Sequence, residues 1–225
     1  MRRISTTTVV DQVTEEIRRS ILAGVLSPSQ ELSLRELADR LGVSTIPVRE
    51  ALRRLEGQGL LVTTPGRSTR VAPLDPADLR GIYRLRLVLE PEIASRSCLL
   101  LPDIELERLG EVVESFGVVG TSVLGTGMDD VYEAHHNFHL RLLAPAATEW
   151  DIRTLRGLWH AAERYLRLAF GALEDRADEH PRRELVHAEL LAGFRARDPA
   201  LVESLVLQHL RDNEAIAQQA IAQLD

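Results

Sequence analysis

The chain has 225 residues, 44% hydrophobic and 27% charged, with a net charge of −7. That composition excludes wholesale disorder and leaves room for one or two domains with a sizeable core. No apolar run approaches the roughly 18 residues of a membrane-spanning helix. No apolar segment follows Arg2-Arg3, so the sequence predicts a cytoplasmic protein without a signal peptide. The lone Cys98 excludes an internal disulfide and a cysteine zinc cluster.

Charge and aromatic content divide the chain. All 27 basic residues are arginine; residues 1–74 carry 11 of them against 8 acidic groups, and residues 75–225 carry 16 against 26. All nine aromatic residues follow position 75. A basic segment joined to an acidic one predicts a DNA-binding domain over 1–74 and a second domain over 75–225, joined near Ala72-Pro73-Leu74-Asp75-Pro76.

In the first domain, Val10, Val13, Ile17, Ile21 and Leu22 recur at helical spacing, and Gly24 ends that helix. Ser27-Pro28-Ser29 reads as a turn. Ser33 with Glu36 reads as a capping box opening a helix over 34–41, closed by Gly42 as a left-handed residue. Ser44 reads as the cap of a third helix, with Pro47 in its first turn and Val48, Ala51, Leu52 and Leu55 as its buried stripe. Thr45, Ile46, Arg49, Glu50 and Arg53 project outward. Two β-prone runs, 60–64 and 69–72, flank Pro65-Gly66-Arg67-Ser68 as a hairpin tip. Three helices and a hairpin describe a winged helix-turn-helix, whose outward arginines suit guanine edges and phosphates. Arg67 and Arg70 near the tip suit a backbone or minor groove.

The run Leu37-Ala38, Leu41-Gly42-Val43-Ser44, then Pro47-Val48-Arg49-Glu50-Ala51-Leu52-Arg53-Arg54-Leu55 and Gly59-Leu60 resembles the winged-helix signature of GntR-family transcriptional regulators. The resemblance implies operator contacts from Arg35 and Arg49. Together with the outward residues it gives a DNA-binding set of Arg35, Ser44, Thr45, Arg49, Arg53, Gly66 and Arg67. Thr45 stands where the family usually has Arg, Ser29 where Pro-Gly is common, and Ser68 where the wing usually has Gly.

The second domain reads as helices over 76–99, 103–116, 128–143, 149–173, 181–197 and 199–223, with a loop at 117–127. The fold class is thus mainly α: a winged helix-turn-helix followed by an all-α bundle. Polar residues fall on its apolar stripes. Arg86 lies in a row with Ile82, Leu89 and Ile93, one turn from Glu90, which offers it an internal partner. His135 and His139 share a row with Val131, Phe138 and Leu142; His187 sits with Leu190, Leu191 and Phe194; His209 sits with Val202, Leu205, Val206 and Asn213. One such histidine is usually a satisfied core residue. Four converging imidazoles each need a partner, and a divalent metal supplies all four. His136, His160 and His180 lie off the stripes.

Arg86-x-x-Leu89-Glu90, Phe138-His139, His187-x-x-Leu190-Leu191 and Asp198 with His209 also resemble the FCD ligand-binding domain of the FadR-type subfamily. Metal-containing members coordinate the ion with one Asp and three His. His139, His187 and His209 match the three His, and His135 stands at the Asp position. A fourth neutral ligand favours Zn, Ni or Co over Mn or Mg. The resemblance implies a dimeric repressor on a pseudo-palindromic double-stranded operator, and a small anionic metabolite, often a carboxylate, bound near the metal; Arg86 and Asn213 are the candidates to hold it. It implies no enzyme. The alternatives left by the residues alone are a metal-dependent hydrolase fused to a DNA-targeting module, which has no evident general base on the metal-facing stripes beyond the option of Glu90, and purely structural histidines.

Overall fold

The computed structural model describes residues 8–64, 68–118, 128–171 and 179–223. The chain forms two compact units, Met1–Asp75 and Pro76–Asp225. No helix among the described residues is long and apolar enough to cross a membrane.

In the first unit, helix α1 (Val9–Leu22) is opened by Thr8, whose hydroxyl accepts from the Asp11 amide while the Asp11 carboxylate accepts from the Thr8 amide. Strand β1 (Glu31–Leu32) follows, then α2 (Leu34–Leu41), α3 (Thr45–Gly57), β2 (Leu61–Thr63) and β3 (Thr69–Val71). The sheet order is β1-β3-β2, all antiparallel, with Glu31 opposite Arg70 and Val62 opposite Arg70 on the other side. Strand β1 goes beyond the two-stranded hairpin that the sequence suggested. Ser29, expected in a turn, takes the left-handed conformation at φ 65° that favours glycine, and its amide donates to the Val71 carbonyl. Val13, Ile17 and Ile21 meet Leu37, Ala38, Val48, Ala51, Leu55, Leu60, Leu61 and Val71 in one core. That packing holds α3 by its apolar stripe and leaves its opposite face outward.

Two cap expectations need correction. Ser33 accepts from the Glu36 amide, but no return bond from the Glu36 side chain completes a box. Ser44 has the extended backbone of a cap, yet its side chain makes no capping bond.

The second unit contains α4 (Pro76–Ser97), α5 (Asp103–Val118), α6 (Met128–Leu143), α7 (Glu149–Gly171), α8 (Glu179–Ala196) and α9 (Pro199–Ala222). Helix α4 packs chiefly on α9 and α7, and α5 on α8. The inward row of α4 is Leu79, Tyr83, Arg86, Glu90, Ile93, Ala94 and Ser97, so Arg86 and Ile93 are buried as expected while Ile82 and Leu89 are only half-buried. The helix runs through Pro91, which has no amide to give the Leu87 carbonyl. Helices α8 and α9 approach closely at Gly193, where an added methyl would lie 2.7 Å from Leu205 Cδ1. Arg197 ties their turn to the end of α4 through the Cys98 and Leu101 carbonyls.

The α2–α3 turn depends on Gly42, at φ 65° with its amide donating to the Ala38 and Asp39 carbonyls. Gly42→Ala is expected to lower stability by about 1–2 kcal/mol in thermal or denaturant unfolding, and Gly42→Asn by less, because Asn tolerates the left-handed region.

Candidate metal centre and nucleic-acid interface

The four sequence-selected histidines come together. His135 and His139 are one turn apart on α6, His187 lies on α8 and His209 on α9. One ring nitrogen from each falls in a group whose members all lie within 4.8 Å of one another. His135 Nε2 is 2.9 Å from His187 Nε2 and 3.2 Å from His139 Nε2. His187 and His209 are buried, the other two half-buried. Phe116 of α5 and Phe138 of α6 set their rings against His187, at 5.1 and 5.5 Å between centroids.

Two of these contacts converge on one ring nitrogen. A neutral ring nitrogen carries either one hydrogen or one lone pair. His135 Nε2 therefore cannot serve two partners at full strength, yet it faces two. A cation takes lone pairs from all of them. Two nitrogens on one ion at about 2.1 Å stand roughly 3.0–3.4 Å apart, depending on geometry, close to the 2.9 and 3.2 Å here. The donor set fits a divalent metal.

Burial holds the His135, His139 and His209 imidazoles well below the usual histidine range, and the neighbouring histidines and Arg86 push the same way. Deprotonated rings are the form that ligates metal. His136 also falls, to about 4, chiefly through burial. Its ring stacks on Trp159 at 16° between planes and does not join the four. Asn213 is buried one turn from His209, with its side-chain nitrogen 3.1 Å from His209 Nε2. That contact holds the His209 ring in place.

Arg86, only 6% exposed, is engaged with Glu90. Glu90 accepts from Arg86 Nε at 2.6 Å and Nη2 at 3.4 Å, and from the Trp159 indole at 2.9 Å. Burial opposes the guanidinium charge, but Glu90 and Tyr83 together outweigh it, and the group is held more firmly protonated than an ordinary arginine. Its cation also lies over the Tyr83 ring, 4.9 Å from the centroid. Sequence reasoning named Glu90 as a partner but missed Trp159, 69 positions away, and Tyr83. The tryptophan lies on the same helix as other apolar residues, and nothing local marks its N–H as needed at Glu90.

In the first unit, Arg35 on α2 and Arg49 and Arg53 on α3 are exposed. Arg53 meets Glu50 at 3.2 Å; Arg35 and Arg49 form no ion pair with a described carboxylate. Ser44 is exposed and Thr45 half-buried at the α3 N-terminus, where free amides favour phosphate. Arg70 is half-buried on β3. Gly66 and Arg67 lie outside the described residues, as does the side chain of His180.

Residues 9–71 match the family described as bacterial regulatory proteins, gntR family, and residues 81–212 match the FCD domain. Over 217 residues the chain is 29% identical to BphR of Paraburkholderia xenovorans (strain LB400), an uncharacterized HTH-type transcriptional regulator, covering 94% of this chain and 86% of that protein. It is 26% identical over 215 residues to RspR of Escherichia coli (strain K12), an HTH-type transcriptional repressor, covering 93% and 90%. Among solved structures, E. coli McbR/YncC shares the fold with a TM-score of 0.77, at 23% identity over 95% of this chain and 99% of that one.

The neutral histidines set a pH dependence with a definite sign. In the unfolded chain they titrate near pH 6.5, whereas the folded cluster resists protonation, so unfolding takes up protons below that pH. In chelator-stripped protein, the denaturant midpoint is expected to hold between pH 8 and 7 and to fall on acidification to pH 5. His139→Ala should flatten that fall. A midpoint insensitive to pH over this range contradicts the buried neutral cluster.

Proposed function

The chain belongs to the GntR family of bacterial transcriptional regulators, with an FCD domain behind its DNA-binding helices, and from that premise we propose how its parts divide the work. Residues 1–74 bind a double-stranded operator as one half of a homodimer. Residues 75–225 hold a divalent metal and a small anionic effector, and effector binding shifts the dimer between DNA-competent and DNA-incompetent arrangements. Repression is the sign carried over from the name of RspR. The observation that supports the effector half is the four ring nitrogens within 4.8 Å of one another in the bundle.

His135, His139, His187 and His209 would hold the ion, and four neutral nitrogens favour Zn, Ni or Co. When bound, the ion supplies a Lewis-acid centre for an anionic oxygen. Asn213 steadies His209, and Phe116 and Phe138 pack against the His187 ring. Arg86 supplies a positive charge that Glu90 and Trp159 keep in one place; an incoming carboxylate shares the guanidinium with Glu90. The hydrolase reading has no support: the relatives are transcriptional regulators, and Glu90, its one candidate base, is committed to Arg86 and Trp159.

On the DNA side, Arg35, Arg49 and Arg53 supply guanidinium groups for base edges and phosphates, Ser44 and Thr45 hydroxyls for the backbone, and Gly66 and Arg67 the wing. Arg49→Ala is expected to weaken specific duplex binding by about 1–3 kcal/mol if it reads a base, with affinity falling steeply as salt rises. Equilibrium binding at two salt concentrations checks it, and unchanged affinity in the variant contradicts the assignment.

On the metal side, added Zn, Ni or Co should raise the melting temperature of chelator-stripped protein. An ion at a hundredfold excess over its dissociation constant adds about 2.7 kcal/mol, and each kcal/mol is worth roughly 2–4 °C at this size. His187→Ala should abolish the response and His136→Ala should leave it. No response in the wild type contradicts the site.

A further inference from the structure

Ile46 stands on the outward face of α3 at 69% exposure. It occupies the first turn, and Arg49, Glu50 and Arg53 follow it at helical spacing on the same face, all exposed. Val48, Ala51, Leu52 and Leu55 bury the opposite side, so the core takes nothing from Ile46. A β-branched residue is also a poorer helix former than Ala in such a position. Packing among the described residues therefore gives no reason for an isoleucine here.

The chemistry of the surface this face meets does. In the major groove, thymine alone presents a methyl group, and apolar side chains read it by contact. Ile46 precedes Arg49 by three residues, about 4.5 Å along the helix axis at 1.5 Å per residue. That is close to one base step of about 3.4 Å. We propose that Ile46 is a base-reading residue, packing on the C5-methyl of a thymine one or two base pairs from the base that Arg49 contacts. The proposal rests on the reading of α3 as the helix that enters the groove, and adds a contact that the charged and hydroxyl side chains cannot make.

The test uses the full-length protein and duplexes selected by it from a random pool. Each thymine of the selected half-site is replaced singly by uracil, which removes only the methyl. For the wild type, one position should lose about fourfold in affinity, the equivalent of the roughly 0.8 kcal/mol of one buried methyl-sized group at 1.4 kcal/mol per decade. Ile46→Ala should bind thymine and uracil equally there, with its melting temperature unchanged because the side chain is exposed. Ile46→Val should keep part of the discrimination. A wild type indifferent to every methyl, or an Ile46→Ala variant with the wild-type pattern of sensitivity, overturns the proposal. Arg49→Ala separates the two readings: if it abolishes selection while the uracil series is flat, only the role of Ile46 falls. If the wild type selects no sequence at all, the reading of α3 falls with it.

Discussion

Four imidazoles in the helical unit face one another, and two of the contacts among them converge on a single ring nitrogen. His135 Nε2 lies within hydrogen-bonding distance of two other ring nitrogens, and a ring nitrogen can serve only one partner well. A buried nitrogen left short of a partner costs about 1–3 kcal/mol, which a shared cation would offset. Helices α6, α8 and α9 each contribute to the cluster, α5 closes it with Phe116, and α4 sets Arg86 and Glu90 nearby. One ion satisfying the rings would fasten three helices at once and give an anion a place to bind.

The same logic governs Arg86. A guanidinium this deeply buried persists because Glu90 takes two of its N–H groups, and Trp159 donates to the Glu90 oxygen that Arg86 Nε also meets. Breaking one member of such a set strands a charge, commonly at a cost of about 3–5 kcal/mol. Glu90 and Trp159 are thus the parts that hold Arg86 in one place in the bundle.

Much of this was legible in the sequence because period alone decides it. His135 and His139 four apart, and His187 and His209 each among apolar neighbours, point inward on any regular helix, and the structure brings all four together. The stripe of α3 was equally plain, since Val48, Ala51, Leu52 and Leu55 repeat at helical spacing. What escaped depends on distant partners. Strand β1 is two residues long, too short for alternation, and exists because β3 offers it an edge. The inward row of α4 was misjudged by a fraction of a turn: counting apolar residues favours Ile82 and Leu89, whereas Tyr83 and Glu90 are drawn inward by Arg86 and Trp159. Ser44 has the residue type and backbone of a cap without the bond.

The most direct measurement is the metal content of untagged, full-length protein, by elemental mass spectrometry after exhaustive dialysis, beside His187→Ala prepared identically. The account predicts about one zinc, nickel or cobalt ion per wild-type chain and almost none in the variant. Wild-type protein that retains no metal, and takes up none when each of the three ions is added before dialysis, would contradict it.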